Sequence, residues 1–68
     1  MKVQMVKDLT RRVINMRVSE ARCLIEDSGA MCRVTSEDGI QFEGSAQHIP
    51  YRINLDVIDG IVREAKIG

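Results

Sequence analysis

Residues 51–57 alternate without a break. Tyr51, Ile53, Leu55 and Val57 are apolar or aromatic, and Arg52, Asn54 and Asp56 between them are polar. A period of two sends successive side chains to opposite faces, so this run predicts a strand with one apolar and one polar side. Ile58 breaks the alternation, Asp59-Gly60 is a hairpin dipeptide, and residues 61–67 return as a last strand. The pattern leaves the pairing register across that turn open. Gly68 directly follows Ile67, which places the last strand in the core rather than in a tail. Upstream, residues 31–36 hold the run Arg33-Val34-Thr35 and predict another strand. Glu37-Asp38-Gly39 reads as a turn, and Ile40 to Glu43 alternate as a second short strand. Gly44 to His48 follow neither period, which predicts a loop closed by Ile49-Pro50.

Residues 19–28 carry the helical period. Ala21, Leu24, Ile25 and Ser28 fall at i, i+3, i+4 and i+7, and Arg22 and Glu26 stand one turn apart outside that face. Ser19 is placed to cap the helix and Gly29 to end it in a left-handed conformation. Residues 11–18 support two readings. Arg12, Ile14, Met16 and Val18 alternate as in a strand, whereas Leu9, Val13 and Met16 sit at helical spacing. Residues 1–10 read as a loosely attached or disordered segment.

The resulting order is strand, helix, strand, loop, strand, strand. The economical packing is an α+β domain spanning 1–68, with one short helix on a small mixed β-sheet and a long exposed loop. Residues 37–50 are enough to join two parallel strands, so the strands at 31–36 and 51–57 are expected side by side and parallel.

The chain has 68 residues, too few for a nucleotide-binding half-domain or a multi-lobed enzyme. Ten basic side chains balance ten acidic ones, which argues against a nucleic-acid binder held mainly by counterion release. The balance is uneven along the chain. Lys2, Lys7, Arg11, Arg12, Arg17 and Arg22 stand against only Asp8 and Glu20 in the first 22 residues. This reads as a solvated basic segment or as an arm for an acidic partner. Apolar runs stop at two or three residues, too short to span a membrane. No apolar stretch near Met1 resembles a secretory signal, so a cytoplasmic location is expected, with Cys23 and Cys32 reduced. The two cysteines have no metal-ligand spacing and read first as small core residues, next as a disulfide.

The helix Val18-Ser19-Glu20-Ala21-Arg22-Cys23-Leu24-Ile25-Glu26 is followed by Cys32-Arg33-Val34 and an exposed loop. Then come Pro50-Tyr51-Arg52-Ile53-Asn54-Leu55-Asp56-Val57, Asp59-Gly60-Ile61-Val62 and Ile67-Gly68. This order and ending over residues 16–68 resemble the potato inhibitor I family of serine-protease inhibitors, especially its small bacterial members. The resemblance implies a wedge-shaped domain whose loop enters a protease cleft as a substrate does. It implies a protease-binding loop of Gly44, Ser45, Ala46, Gln47 and His48, with Ala46–Gln47 facing the catalytic serine. Arg52 and Asn54 would brace that loop from beneath. A small Ala46 suits subtilisin- or elastase-like pockets. The chain departs from the family in several places, one being a loop about two residues longer through Glu37-Asp38-Gly39, and the bacterial members are often exported. Gln47, His48 and Ile49 stand where an acidic residue, Tyr and Arg are usual. Asn54 stands in place of a second arginine, and Arg17 in place of the capping serine of the plant members.

The expected function is therefore reversible inhibition of a serine protease, without enzymatic activity, cofactor or metal. A different class stays open: a small cytosolic protein-binding module that keeps this fold without inhibiting a protease. It would use the loop, an exposed strand edge or the basic amino-terminal segment, and pairing of two copies through an edge strand is compatible with either reading. Ser45, His48 and Asp56 are the residue types of a hydrolase triad, yet no Gly-x-Ser-x-Gly elbow surrounds Ser45. The adjacent carboxylates Glu26-Asp27 and Glu37-Asp38 suit a helix end and a turn better than an acid–base pair. Phe42 and Tyr51 read as core or core-edge residues.

Overall fold

Two helices, not one, cover the sheet. A computed structural model describes residues 3–42, 44 and 47–68. Its elements are α1 (Val3–Arg12), α2 (Val18–Asp27), β1 (Met31–Glu37), β2 (Ile40–Gln41), β3 (Arg52–Ile58) and β4 (Ile61–Ile67). The segment expected to be loose is thus helical from Val3 onward. Val6 and Leu9 are buried on one face of α1, and Val13 is buried just beyond its end. The i, i+3, i+7 spacing of these three residues is what docks the helix. Arg11 and Arg12 occupy its last turn, where positive charge opposes the helix dipole. Asn15, at φ +69°, turns the chain out of the helix.

Of the two readings of 11–18, the helical one holds only to Arg12, the end of α1, and the strand reduces to a single antiparallel bridge between Arg17 and Ile61. Asn15 N–H donates to Val62 O at 2.8 Å, and Val62 N–H to Met16 O at 2.9 Å. The link between the helices is therefore stitched to the start of β4. Ser19 does not cap α2. The N-cap is Arg17, without a side-chain bond, and its main-chain oxygen accepts from Ala21 N–H at 2.9 Å. The helix ends as its glycine predicts. Gly29 adopts φ +88°, Gly29 N–H donates to Glu26 O, and Ala30 N–H donates to Ile25 O. Those two bonds form a Schellman motif that satisfies the last carbonyls.

The sheet is mixed, in the order β2-β1-β3-β4. β1 and β3 are parallel, with Arg33 opposite Asn54 and Val34 opposite Leu55; the register shifts past Thr35. β3 and β4 are antiparallel, with Asn54 opposite Lys66 and Asp56 opposite Glu64, and Arg63 is taken up as an extra residue. Both Asp-Gly turns have positive φ at each central residue, +52° and +84° at Asp38-Gly39 and +54° and +73° at Asp59-Gly60. Such turns match the natural twist of the strands they join. They are also tied together, because Asp38 Oδ1 accepts from Asp59 N–H at 2.8 Å.

One face of the sheet makes the core. Ile53, Leu55, Val57 and Val62 meet Val6, Leu9, Val13, Ala21, Ile25 and Ala30. Each fully buried aliphatic side chain of this kind contributes about 2 kcal/mol. Cys23 lies outside that core, exposed on α2, while Cys32 packs partly against it; both thiols are free. Phe42 and Tyr51 are likewise exposed. Phe42 follows β2 and Tyr51 precedes β3, at the two ends of the loop, and neither belongs to the core. No helix among the described residues is long and apolar enough to cross a membrane.

Candidate functional site

The polar side chains of β3 point away from the helices, and their surroundings define the site. Arg52 is 7% exposed, the one buried charged residue among those described. Burying a guanidinium is costly unless its donors are used. Here they are. Nε and Nη2 both donate to the main-chain oxygen of Gly68, at 3.0 and 2.6 Å, and Nη2 also donates to Gln47 O at 2.9 Å. The main chain of Arg52 adds two bonds: its N–H donates to Ile49 O at 3.1 Å, and its oxygen accepts from Gly68 N–H at 3.0 Å. One residue at the start of β3 thus holds the returning end of the loop and the residue that follows β4. The charge-assisted bonds are the strong ones in this set.

Asn54 lies two residues along on the same face. Its Oδ1 accepts from Arg33 Nε at 3.1 Å, as the parallel register that sets these residues side by side permits. The far end of Arg33 lies beneath Gly44. A Cβ at position 44 would stand 2.9 Å from Arg33 Nη1 and 3.4 Å from its Cζ. The main chain at Gly44 and the flexible end of Arg33 are therefore close neighbours. Gly68 completes the arrangement, since a Cβ there would stand 3.1 Å from Asn54 Nδ2 and 3.8 Å from His48 Nδ1. A series of neighbours runs from Gly44 through Arg33, Asn54, Gly68 and Arg52 to Gln47. It links the described residues at the two ends of the loop.

Gly44, Gln47 and His48 of the expected loop are exposed; of the two expected supports, Arg52 bonds to the main chain of Gln47, whereas Asn54 bonds to Arg33. Ser45 and Ala46, and with Ala46 the bond expected to face a protease, lie outside the described residues. The acceptor from Arg52 at position 47 is the main-chain carbonyl, so a side-chain carboxylate at that position is not required for this bond. Sequence reasoning missed Arg33 and Gly68. Arg33 sits on a different strand from Arg52 and Asn54, and only the β1–β3 register brings it beside them. The position of Gly68 directly after the last strand was visible, but its partner was not.

The face beyond the loop is polar. A groove there is lined in part by Thr35, Gln41, Phe42, Asn54, Asp56 and Lys66. Among the described residues no group of three or more His, Cys, Asp or Glu side chains is arranged to hold a metal ion. Neither a protein-family model, nor a curated protein, nor a solved structure matches this chain.

Proposed function

We propose that the chain is a substrate-like inhibitor of a serine protease, acting through residues 44–48, as its resemblance to the potato inhibitor I family implies. The observation that carries this reading is the arginine beneath the loop. Arg52 is buried and donates to Gln47 O and Gly68 O. A loop held in one shape before it meets a protease loses little conformational entropy on docking. The same bond supplies the reason a protease would be occupied rather than fed. If Ala46–Gln47 is attacked, the acyl group passes to the protease serine and the new amine remains on Gln47. Arg52 holds the carbonyl of that same residue. The amine stays in position to attack the acyl-enzyme and re-form the bond, and water has little opportunity to intervene.

A second reading draws on a different observation. Phe42 and Tyr51 stand half exposed at the two roots of the loop. Aromatic side chains are favoured anchors in protein interfaces. A binding module that uses the loop and its roots, without inhibiting a protease, would present the same surface.

Titration of the purified protein against subtilisin-, elastase-, chymotrypsin- and trypsin-type proteases, with mass spectrometry of the mixtures, separates the two. Inhibition of one class with slow, single cleavage between residues 46 and 47 is the expected result. Rapid cleavage at several sites, or no effect on all four, overturns the inhibitor reading in favour of the binding module.

A further inference from the structure

We infer that Arg33 is a positioning residue for the loop, a second guanidinium support that acts from β1 at the end opposite Arg52. The inference rests on the reading of residues 44–48 as the binding loop. Three observations carry it. Arg33 Nε donates to Asn54 Oδ1 at 3.1 Å, which fixes the direction of the side chain. Its Nη1 lies so close beneath Gly44 that a Cβ there would stand at 2.9 Å. The parallel register puts Arg33 and Asn54 opposite each other, so a guanidinium can reach the loop from either of two neighbouring strands.

The division of labour follows from the geometry. Arg52 grips the end of the loop that leads into β3, through Gln47 O. Arg33 underlies the end that leaves β2, at Gly44. Held at one end only, a loop can still swing as a flap. Supported at both, its two described ends keep one separation. Asn54 is too short to reach the loop as a guanidinium does, and its role here is to orient Arg33. At position 44 the guanidinium lies so close that a side chain there would have to displace its flexible end.

The test compares wild type with Arg33→Ala, Arg33→Lys and the double variant Arg33→Ala/Asn54→Arg. The double variant returns a guanidinium from the facing position on β3. Two readouts are needed. The first is backbone ¹⁵N relaxation at residues 44, 47 and 48, with thermal unfolding to confirm that each variant is folded. The second is the inhibition constant and the rate of loop cleavage with whichever protease the wild type inhibits.

Arg33→Ala is expected to stay folded, lose order at Gly44, be cleaved about tenfold faster and inhibit about tenfold more weakly, as for loss of the one charged hydrogen bond that directs Arg33, to Asn54. Arg33→Lys should recover part of the loss, and the double variant most of it. An equally ordered Gly44 in folded Arg33→Ala would overturn the inference, as would a double variant no better than Arg33→Ala. If the wild type inhibits no protease, the inhibitor reading fails, and the relaxation data still decide the role of Arg33.

Discussion

Arg52 and Gly68 bind each other reciprocally. The guanidinium donates twice to Gly68 O, and Gly68 N–H donates back to Arg52 O. The start of β3 and the residue after β4 are thereby locked together on the polar side of the sheet. Arg52→Ala should remove about 2–3 kcal/mol of stability, since it deletes charged hydrogen bonds and leaves their acceptors partly unpaired. Arg52→Lys should fall between that variant and wild type. A lysine restores the charge but not a planar fork that reaches two acceptors. Urea unfolding followed by circular dichroism checks both. A wild-type midpoint for Arg52→Ala would mean that the pair does not contribute to folding.

The first helix makes its own test. Leu9 is 2% exposed, whereas Met5 on the same helix is 38% exposed. Leu9→Ala should destabilise the protein by about 2–4 kcal/mol through lost burial and the remaining cavity. Met5→Ala should change stability by less than about 0.5 kcal/mol. Equal, small effects at the two positions would return the segment to a loosely attached one.

These cases indicate how far the sequence alone could be read. The strands at 31–37, 52–58 and 61–67 announce themselves by alternation or by bounding Asp-Gly turns, and α2 by a clean helical face. The parallel pairing of β1 and β3 was legible from the length of their connection. α1 was obscured because Val3 and Met5 are apolar but exposed, which blurs the stripe formed by Val6, Leu9 and Val13. The capping error at Ser19 has a simpler cause: the main chain of Arg17 starts the helix without any side chain. At the candidate site, Arg52 and Asn54 were named from a strand pattern and a resemblance. Arg33 depends on which residue of a neighbouring strand lies opposite Asn54, and that register is a tertiary property.

Cys32 and Cys23 should behave differently toward alkali and toward thiol reagents. Burial raises the pKa of the Cys32 thiol from its ordinary value, with Arg22 opposing the shift and Glu26 adding to it. A thiol with a raised folded-state pKa holds its proton more tightly in the folded chain than in the unfolded one. Its contribution to stability is complete below the ordinary value of 9.0 and is lost as pH rises through the folded value. Urea midpoints should therefore fall more steeply above about pH 9 in wild type than in Cys32→Ala. With iodoacetamide near neutral pH, exposed Cys23 should be alkylated first. Equal rates at the two thiols would contradict the packing of Cys32.

The parallel pairing of β1 with β3 has a consequence for a chain cut at its long connection. The amino-terminal piece would hold both helices, β1 and β2; the other would hold the β3–β4 hairpin. Neither piece could build a complete interior, because Val6, Leu9, Val13, Ala21, Ile25 and Ala30 belong to one and Ile53, Leu55, Val57 and Val62 to the other. A single nick would convert an intramolecular fold into a heterodimer of its own fragments, whose survival then obeys mass action. Dilution, which leaves the intact chain untouched, would become a way of unfolding the nicked one.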